Sequence, residues 1–129
     1  MPVFPWPLYL VIGLALVYGF LNGFHDSANI VATTIASRAL SGRQALALTA
    51  IAEFAGPFLF GVAVATTIGN EVLIGEQISL TVVTASLLSA ITWNILTWWW
   101  GIPSSSSHAL IGGLIGAGVV ESGWGVVEV

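Results

Sequence analysis

The sequence predicts an all-α membrane protein with about three transmembrane helices and one re-entrant or half helix. Hydrophobic residues make up 57% of the 129 residues, and only 6% are Asp, Glu, Lys or Arg, whereas soluble domains carry about 25% charged residues. The mean hydropathy is +0.98. The apolar residues also fall in long runs, and a helix needs roughly 20 such residues to cross a bilayer. The lipid bilayer is therefore the expected surroundings of this chain.

Charge and cysteine content exclude several classes of protein. The net charge is −4, and Arg38 and Arg43 are the only Lys or Arg residues, so the chain lacks the basic surface of a nucleic-acid-binding protein. Without cysteine it can form neither a disulfide framework nor a thiolate metal site. The first seven residues carry no positive charge. We therefore predict that the first apolar stretch is a retained membrane span and not a signal peptide.

The first element is predicted to be a broken helix over residues 8–38. Its first part, residues 8–21, is strongly apolar, and the polar residues Asn22, His25, Asp26 and Asn29 follow beside Gly23. Polar residues and glycine at membrane depth are typical of helices that unwind around a site.

Two further spans are predicted over residues 44–67 and 78–100. The second helix contains Glu53 and Pro57, and proline removes a backbone donor and kinks a helix. The third helix ends in three tryptophans at residues 98–100, which suit the headgroup region of a bilayer.

The last element is predicted to be a half helix over residues 104–120. It is rich in glycine and too short to cross a bilayer by itself. All four elements are assigned to one membrane domain covering residues 1–129. Both arginines lie in the short connection between the first two helices, which favours a cytoplasmic position for that connection.

Polar side chains recur along one face of the first helix. They stand three or four residues apart, at Asn22, Asp26, Asn29, Thr33 and Ser37, and so share a face. Carboxylate, amide and hydroxyl oxygens suit Na⁺ or another hard cation. The alternative is a seam of hydrogen bonds between helices. An intramembrane carboxylate such as Asp26 favours a functional site because burying it is costly.

A second intramembrane acid lies in the predicted second helix. Glu53 could act there as a proton relay, a cation ligand or a gate. The alternative is a glutamate near the interface, or a protonated one bonded to a neighbouring backbone group.

A run of serines opens the half helix. The segment from Ser104 to Ser107 precedes His108, and serine is a good N-cap. The first turn of a helix has free N–H groups and a partial positive charge. Hydroxyls and free amides together predict an anion site that needs no arginine. The alternative is a capping run at a water interface.

Enzyme chemistry is not expected. Ser107 and His108 are adjacent, so on a helix their side chains diverge, and no G-x-S-x-G motif is present. A metal shared by His25, His108 and Asp26 is disfavoured because no two histidines stand three or four residues apart. We predict no cofactor other than Na⁺ as a possible coupling ion.

The two polar features together favour coupled transport. One feature suits a cation and the other an anion, and a multivalent anion is costly to bring into a low dielectric. Cations that bind with it would offset its charge. This argument does not distinguish phosphate from sulfate.

Several motifs resemble those of the inorganic phosphate transporter family, also called the PiT or Pho-4 family. The segment Gly23–Asn29, GFHDSAN, resembles the family's G-x-N-D-x-A-N signature. The segment Ala52–Gly56 resembles its acidic second-helix motif. The segment from Trp93 to Gly113 resembles its tryptophan-rich helix and P-S-S-S-H-A motif. The resemblance covers nearly the whole chain, in order.

The resemblance implies two inverted repeats that meet at a midplane site, of which this chain supplies one. Phosphate would enter with Na⁺ or H⁺ through a multi-pass protein of the plasma (inner) membrane. Asp26 and Asn29 would bind the coupling cation, as metal ligands if it is Na⁺, and Glu53 and Asn94 would take part in coupling. The phosphate-binding residues would be Ser104, Ser105, Ser106, Ser107 and His108.

Two departures from the family pattern bear on these expectations. His25 stands where the family usually has Asn, and a histidine could shift coupling toward H⁺ because it titrates near neutral pH. The family also has two copies of these motifs, and this chain has one. We therefore expect a fragment, or a half that pairs with a separate partner or with a second copy.

The sequence leaves two alternative functions open. One is a sulfate (or other oxyanion) permease of the same family, which would use similar residues. The other is a non-transporting helical membrane subunit, in which the polar face of the first helix would only join helices.

Overall fold

The computed structural model describes residues 5–61, 66 and 79–127. This part of the chain forms four α-helices and a short 3₁₀ helix, Trp124–Val126. The α-helices are α1 (Trp6–Ala36), α2 (Gly42–Phe60), α3 (Leu80–Trp100) and α4 (Ser106–Ser122). For the described residues, the all-α prediction is confirmed.

The first helix differs from its prediction because it is not broken. α1 is one continuous α-helix of 31 residues. Gly23 lies within it, and a glycine inside a helix costs only about 1 kcal/mol relative to alanine. Two of the polar side chains near Gly23 find a partner at the start of α4, so the backbone need not unwind to accommodate them.

The second helix begins at a well-formed cap and ends earlier than predicted. Ser41 and Gln44 form a capping box, which satisfies N–H groups at the start of α2. The helix continues past Pro57 to Phe60, and Gly61 leaves the helical conformation with a φ of 75°. Residues 62–65 and 67 of the predicted span lie outside the described residues.

The last two helices form a tight antiparallel pair and contain most of the buried residues. α3 ends in a Schellman motif, in which Gly101, with a φ of 66°, reverses the chain. The backbones come close at Gly113 of α4, where an added Cβ would lie 2.9 Å from the carbonyl oxygen of Ser86. Val82 and Leu114 pack with Val126 of the 3₁₀ helix.

Two helices of the described part are long and apolar enough to cross a membrane, namely α1 and α3. α2 carries Arg43 and Glu53 and is not one of them. α4 has 17 residues, fewer than the roughly 20 that a span needs, and it begins two residues after the predicted start. Large apolar side chains are widely exposed, including Phe20 at 72% and Phe58 at 79%.

Candidate functional site

The centre of the candidate site is the side chain of Ser106, the first residue of α4. Ser106 is fully buried against the middle of α1. Its Oγ lies 2.9 Å from Oδ2 of Asp26 and also contacts Oδ1 of Asn22. A hydroxyl has one proton, so it can donate to only one of these oxygens at a time. Three side-chain oxygens from two helices therefore converge at one point.

A tyrosine of α1 supports this contact from one turn away. The Tyr18 hydroxyl donates a hydrogen bond to the backbone carbonyl oxygen of Ser106 at 3.0 Å. Tyr18, Asn22 and Asp26 stand four residues apart and so share one face of α1. Tyr18 was not among the residues predicted from the polar face of α1. Extending the predicted polar face by one turn toward the N-terminus would have found it.

The chemistry of the converging oxygens suits a hard cation. A carboxylate, an amide carbonyl and a hydroxyl are the ligand types that Na⁺, Ca²⁺ and similar ions accept. Among the described residues, no cluster of three or more His, Cys, Asp or Glu side chains could hold a metal ion.

The serine run divides between two surfaces of α4. Ser106 faces α1, whereas Ser104, Ser105 and His108 line a pocket of about 390 Å³ between α3 and α4. In that pocket, Nε1 of Trp93 donates to Oγ of Ser104 at 2.9 Å. The Nδ1 atom of His108 lies 2.8 Å from Oγ of Ser105. Hydroxyls and a histidine are thus gathered beside the first turn of the helix.

The first turn of α4 offers backbone donors. Ser105 is the N-cap, and its Oγ accepts the N–H of His108 at 3.3 Å. The N–H groups of Ser106 and Ser107 precede the first intrahelical bond and point out of the helix end. Ser107 is exposed. The helix end thus combines free amides, hydroxyls and a partial positive charge, which suit an anion.

Two predicted site residues lie apart from this centre. Asn29 is exposed on α1, one turn beyond Asp26. Glu53 is exposed on α2 and lines a pocket of about 470 Å³ between α1 and α2, together with Thr34 and Thr49. The described residues provide neither Asn29 nor Glu53 with a side-chain hydrogen bond, so their predicted roles stay predictions.

A second polar cluster is buried between α1 and α3. Asn94 and Thr97 are each 1% exposed and His25 is 9% exposed. Nε2 of His25 lies 3.4 Å from Oγ1 of Thr97, while Nδ1 of His25 and both polar atoms of the Asn94 side chain have no partner among the described residues. Asn94 and His25 line the same pocket between α1 and α3. The coupling role of Asn94 stays a prediction. Thr97 was missed, although it stands three residues from Asn94 and so lies on the same side of α3.

Comparison with known proteins identifies the family. Residues 22–129 match the model of the phosphate transporter family. This chain belongs to that family. The phosphate transporter family is one of integral membrane transporters and not of enzymes, which agrees with the expectation that the chain is no enzyme. The resemblance seen in the sequence motifs is thereby confirmed.

Several curated relatives of the chain are phosphate transporters by name. A probable low-affinity inorganic phosphate transporter of Streptomyces halstedii is 52% identical over 115 residues, which cover 88% of this chain and 54% of that protein. One from Rhizobium meliloti is 46% identical over 114 residues and covers 34% of that protein. The low-affinity inorganic phosphate transporter PitA of Escherichia coli is 41% identical over 121 residues, 24% of its length.

The chain thus spans from about a quarter to about half of the length of these relatives. No solved structure matches it significantly.

Proposed function

We propose that this chain supplies one half of a site for the symport of inorganic phosphate with Na⁺ or H⁺. One observation carries the proposal: Asp26, the carboxylate suited to a cation, lies 2.9 Å from Ser106, the first residue of the helix suited to an anion. A cation and a phosphate bound at these two places would be neighbours. Their charges would offset each other, which lowers the cost of holding phosphate at low dielectric.

The proposed roles follow from the positions of the side chains. Asp26 and Asn29 bind the coupling cation, and the hydroxyl of Ser106 joins them. Phosphate lies at the N-terminus of α4, where Ser104, Ser105, Ser107 and His108 surround the free amides. Glu53 and Asn94 enter the coupling path when the transporter is complete.

The remainder of the site comes from a second half in this proposal. The relatives named as phosphate transporters are about two to four times as long as the matched region. An inverted second repeat would bring its own half helix to the N-terminus of α4. The complete protein would cross the plasma membrane several times.

The first test is uptake of labelled phosphate into proteoliposomes. The chain is reconstituted alone and with the part of the Streptomyces halstedii relative that lies outside the matched region. A Na⁺ gradient and a pH gradient are applied in turn. We expect uptake by the two parts together, driven by one of the gradients and abolished in Asp26→Asn, which removes the charge but keeps the shape.

The control for this test is Thr92→Val. Thr92 is exposed on α3, and in the described part of the chain its hydroxyl bonds to the Leu88 carbonyl of its own helix, at 2.7 Å. Its loss should leave uptake unchanged. Equal uptake by Asp26→Asn and by the unmodified chain, each paired with the second half, would reject the proposed role of Asp26 and with it the proposal. Uptake that excess sulfate suppresses as strongly as unlabelled phosphate does would make the protein a general oxyanion permease.

A further inference from the structure

A cleft opens between α1 and α3, on the side of α1 away from α4. It has a volume of about 230 Å³, and we call it the α1–α3 cleft. Its walls are apolar and come from Phe20, Leu21, Phe24, Ile95 and Trp98. His25 and Asn94 form its floor.

The floor of the cleft carries polar atoms that have no hydrogen-bond partner in the described part of the chain. These atoms are Nδ1 of His25 and the Nδ2 and Oδ1 atoms of Asn94, all of them inaccessible to solvent. Buried polar groups are nearly always hydrogen-bonded in folded proteins, because an unmade bond costs free energy. The cleft is therefore incomplete as it stands in this chain.

The neighbouring side chains do not meet this need. Thr97 is the polar neighbour on α3, and its hydroxyl lies 2.9 Å from the Trp93 carbonyl and 3.2 Å from the Asn94 carbonyl. Ser86 is equally buried on α3, and its hydroxyl bonds to the Val82 carbonyl at 2.7 Å. The hydroxyls of Ser86 and Thr97 are therefore hydrogen-bonded within α3, whereas the Asn94 amide on the same helix is not.

The walls and the floor of the cleft together define the chemistry of its occupant. Phe24 packs edge-on against Trp98 and stacks with Phe20, and Phe20 and Trp98 are 72% and 53% exposed. These rings favour an apolar occupant. The amide of Asn94 needs both an acceptor and a donor, which a lipid acyl chain cannot offer. A carboxamide or hydroxyl side chain on an apolar helix offers both.

We propose that the α1–α3 cleft is the docking site for a transmembrane helix from the second half of the transporter. The apolar face of that helix covers the aromatic walls. The amide of Asn94, which solvent cannot reach in this chain, turns into the cleft and bonds a carboxamide or hydroxyl side chain on that helix. This inference rests on the proposed function in one respect, namely that a second half exists. The relatives named above are long enough to contain a second half, since the matched region is at most 54% of their length.

The test is the affinity between this chain and the same Streptomyces second half in detergent. The affinity is measured at a fixed pH in choline chloride without phosphate, so that neither Na⁺ nor phosphate contributes. Asn94→Leu removes the unpartnered amide. We expect Asn94→Leu to raise or preserve the unfolding temperature of the isolated chain, because the amide of Asn94 makes no hydrogen bond there that the substitution could break. In the pair, it should weaken association roughly tenfold or more.

Two further variants make the test specific. Ser86→Ala removes a hydroxyl that is buried as deeply as Asn94, at 1% exposure, but is bonded within its own helix, and it should not change the affinity. Ile95→Trp fills the mouth of the cleft. Ile95 is 46% exposed, so the isolated chain should fold normally and bind the second half at least tenfold more weakly.

The outcomes separate this inference from the proposed function. Unchanged affinity in both Asn94→Leu and Ile95→Trp would overturn the inference, and water or lipid would then fill the cleft. Self-association of the isolated chain that Ile95→Trp abolishes would overturn it in favour of a second copy. Weakened association in both variants supports the docking site. If the unmodified pair then takes up no phosphate, only the proposed function is rejected.

Discussion

At the scale of single residues, Ser106 joins the two halves of the proposed chemistry. Its side chain contacts Asn22 and Asp26, and its carbonyl accepts the hydroxyl of Tyr18. Asp26 and Ser106 were each predicted from local pattern, one as a buried acid and the other as part of a capping run. Their contact was not predictable, because eighty residues separate them and only the packing of α4 on α1 brings them together.

The Ser106 hydroxyl should matter for stability as well as for transport. In Ser106→Ala, the half-buried side chains of Asn22 and Asp26 lose the hydroxyl that they contact, which costs roughly 1 kcal/mol or more. We expect a lower unfolding temperature in detergent and strongly reduced phosphate uptake by the assembled transporter. Thr92→Val again serves as the control. An unfolding temperature equal to that of the unmodified chain would show that this hydrogen bond contributes nothing.

At the scale of secondary-structure elements, the turn between α3 and α4 places the serine run. Gly101 closes α3 in the left-handed conformation, and its N–H and that of Ile102 bond back to the carbonyls of Trp98 and Thr97 at 3.0 and 2.8 Å. The chain then returns along α3. The first turn of α4 lies against α1 as a consequence of this reversal.

The turn at Gly101 gives a specific prediction. Gly101→Ala places a Cβ in the left-handed region, which costs about 1–2 kcal/mol for an L-residue. We expect Gly101→Ala to lower the unfolding temperature. Gly101→Asn should recover part of the loss, because asparagine tolerates this conformation better. Thermal unfolding of both variants in one detergent measures the difference, and equal stability of Ala and Asn would contradict the assignment.

Close packing of α3 on α4 depends on one glycine and not on its neighbour. In Gly113→Ala, the new methyl group would meet the Ser86 carbonyl at 2.9 Å, so the helices must separate, at a cost of roughly 1–3 kcal/mol. At Gly112 an added Cβ meets nothing within 4 Å. Gly112→Ala should therefore stabilise the isolated chain slightly through helix propensity. Similar unfolding temperatures for the two variants would reject this packing.

At the scale of the whole molecule, the described helices are unequally packed. α3 contains seven buried residues, whereas Ala45 is the one buried residue of α2. Phe54 and Phe58 pack on each other at 5.4 Å but are 75% and 79% exposed. α2 therefore has little apolar contact with the remainder of the described chain.

This inequality predicts a difference in local stability. Segments with few buried contacts open at lower free energy than the core. Backbone amides of α2 should exchange with deuterium faster than those of α3 when the isolated chain is studied in detergent by mass spectrometry. Addition of the second half should slow exchange in both helices. Uniform protection of α2 and α3 in the isolated chain would show that α2 is held more firmly than its contacts indicate.

The class of the protein and its family follow from the amino-acid sequence alone. Its low charge predicted helices in a membrane, and the motifs around Asp26 and Ser106 identified the phosphate transporter family. Local patterns also located three of the helices to within two residues at each described end, since hydrophobic runs and caps act over short distances.

Which polar residues meet depends on tertiary packing. The polar residues near Gly23 predicted a broken helix, yet α1 is continuous, because Asn22 and Asp26 both contact the Ser106 hydroxyl of another helix. The serines form one run in the sequence, but Ser106 faces α1, whereas Ser104 and Ser105 face the pocket between α3 and α4. Asn94, whose coupling role stays a prediction, lies beside His25 in the α1–α3 cleft. Side-chain pairing across helices depends on their relative rotation and depth, which residue spacing along one helix cannot specify.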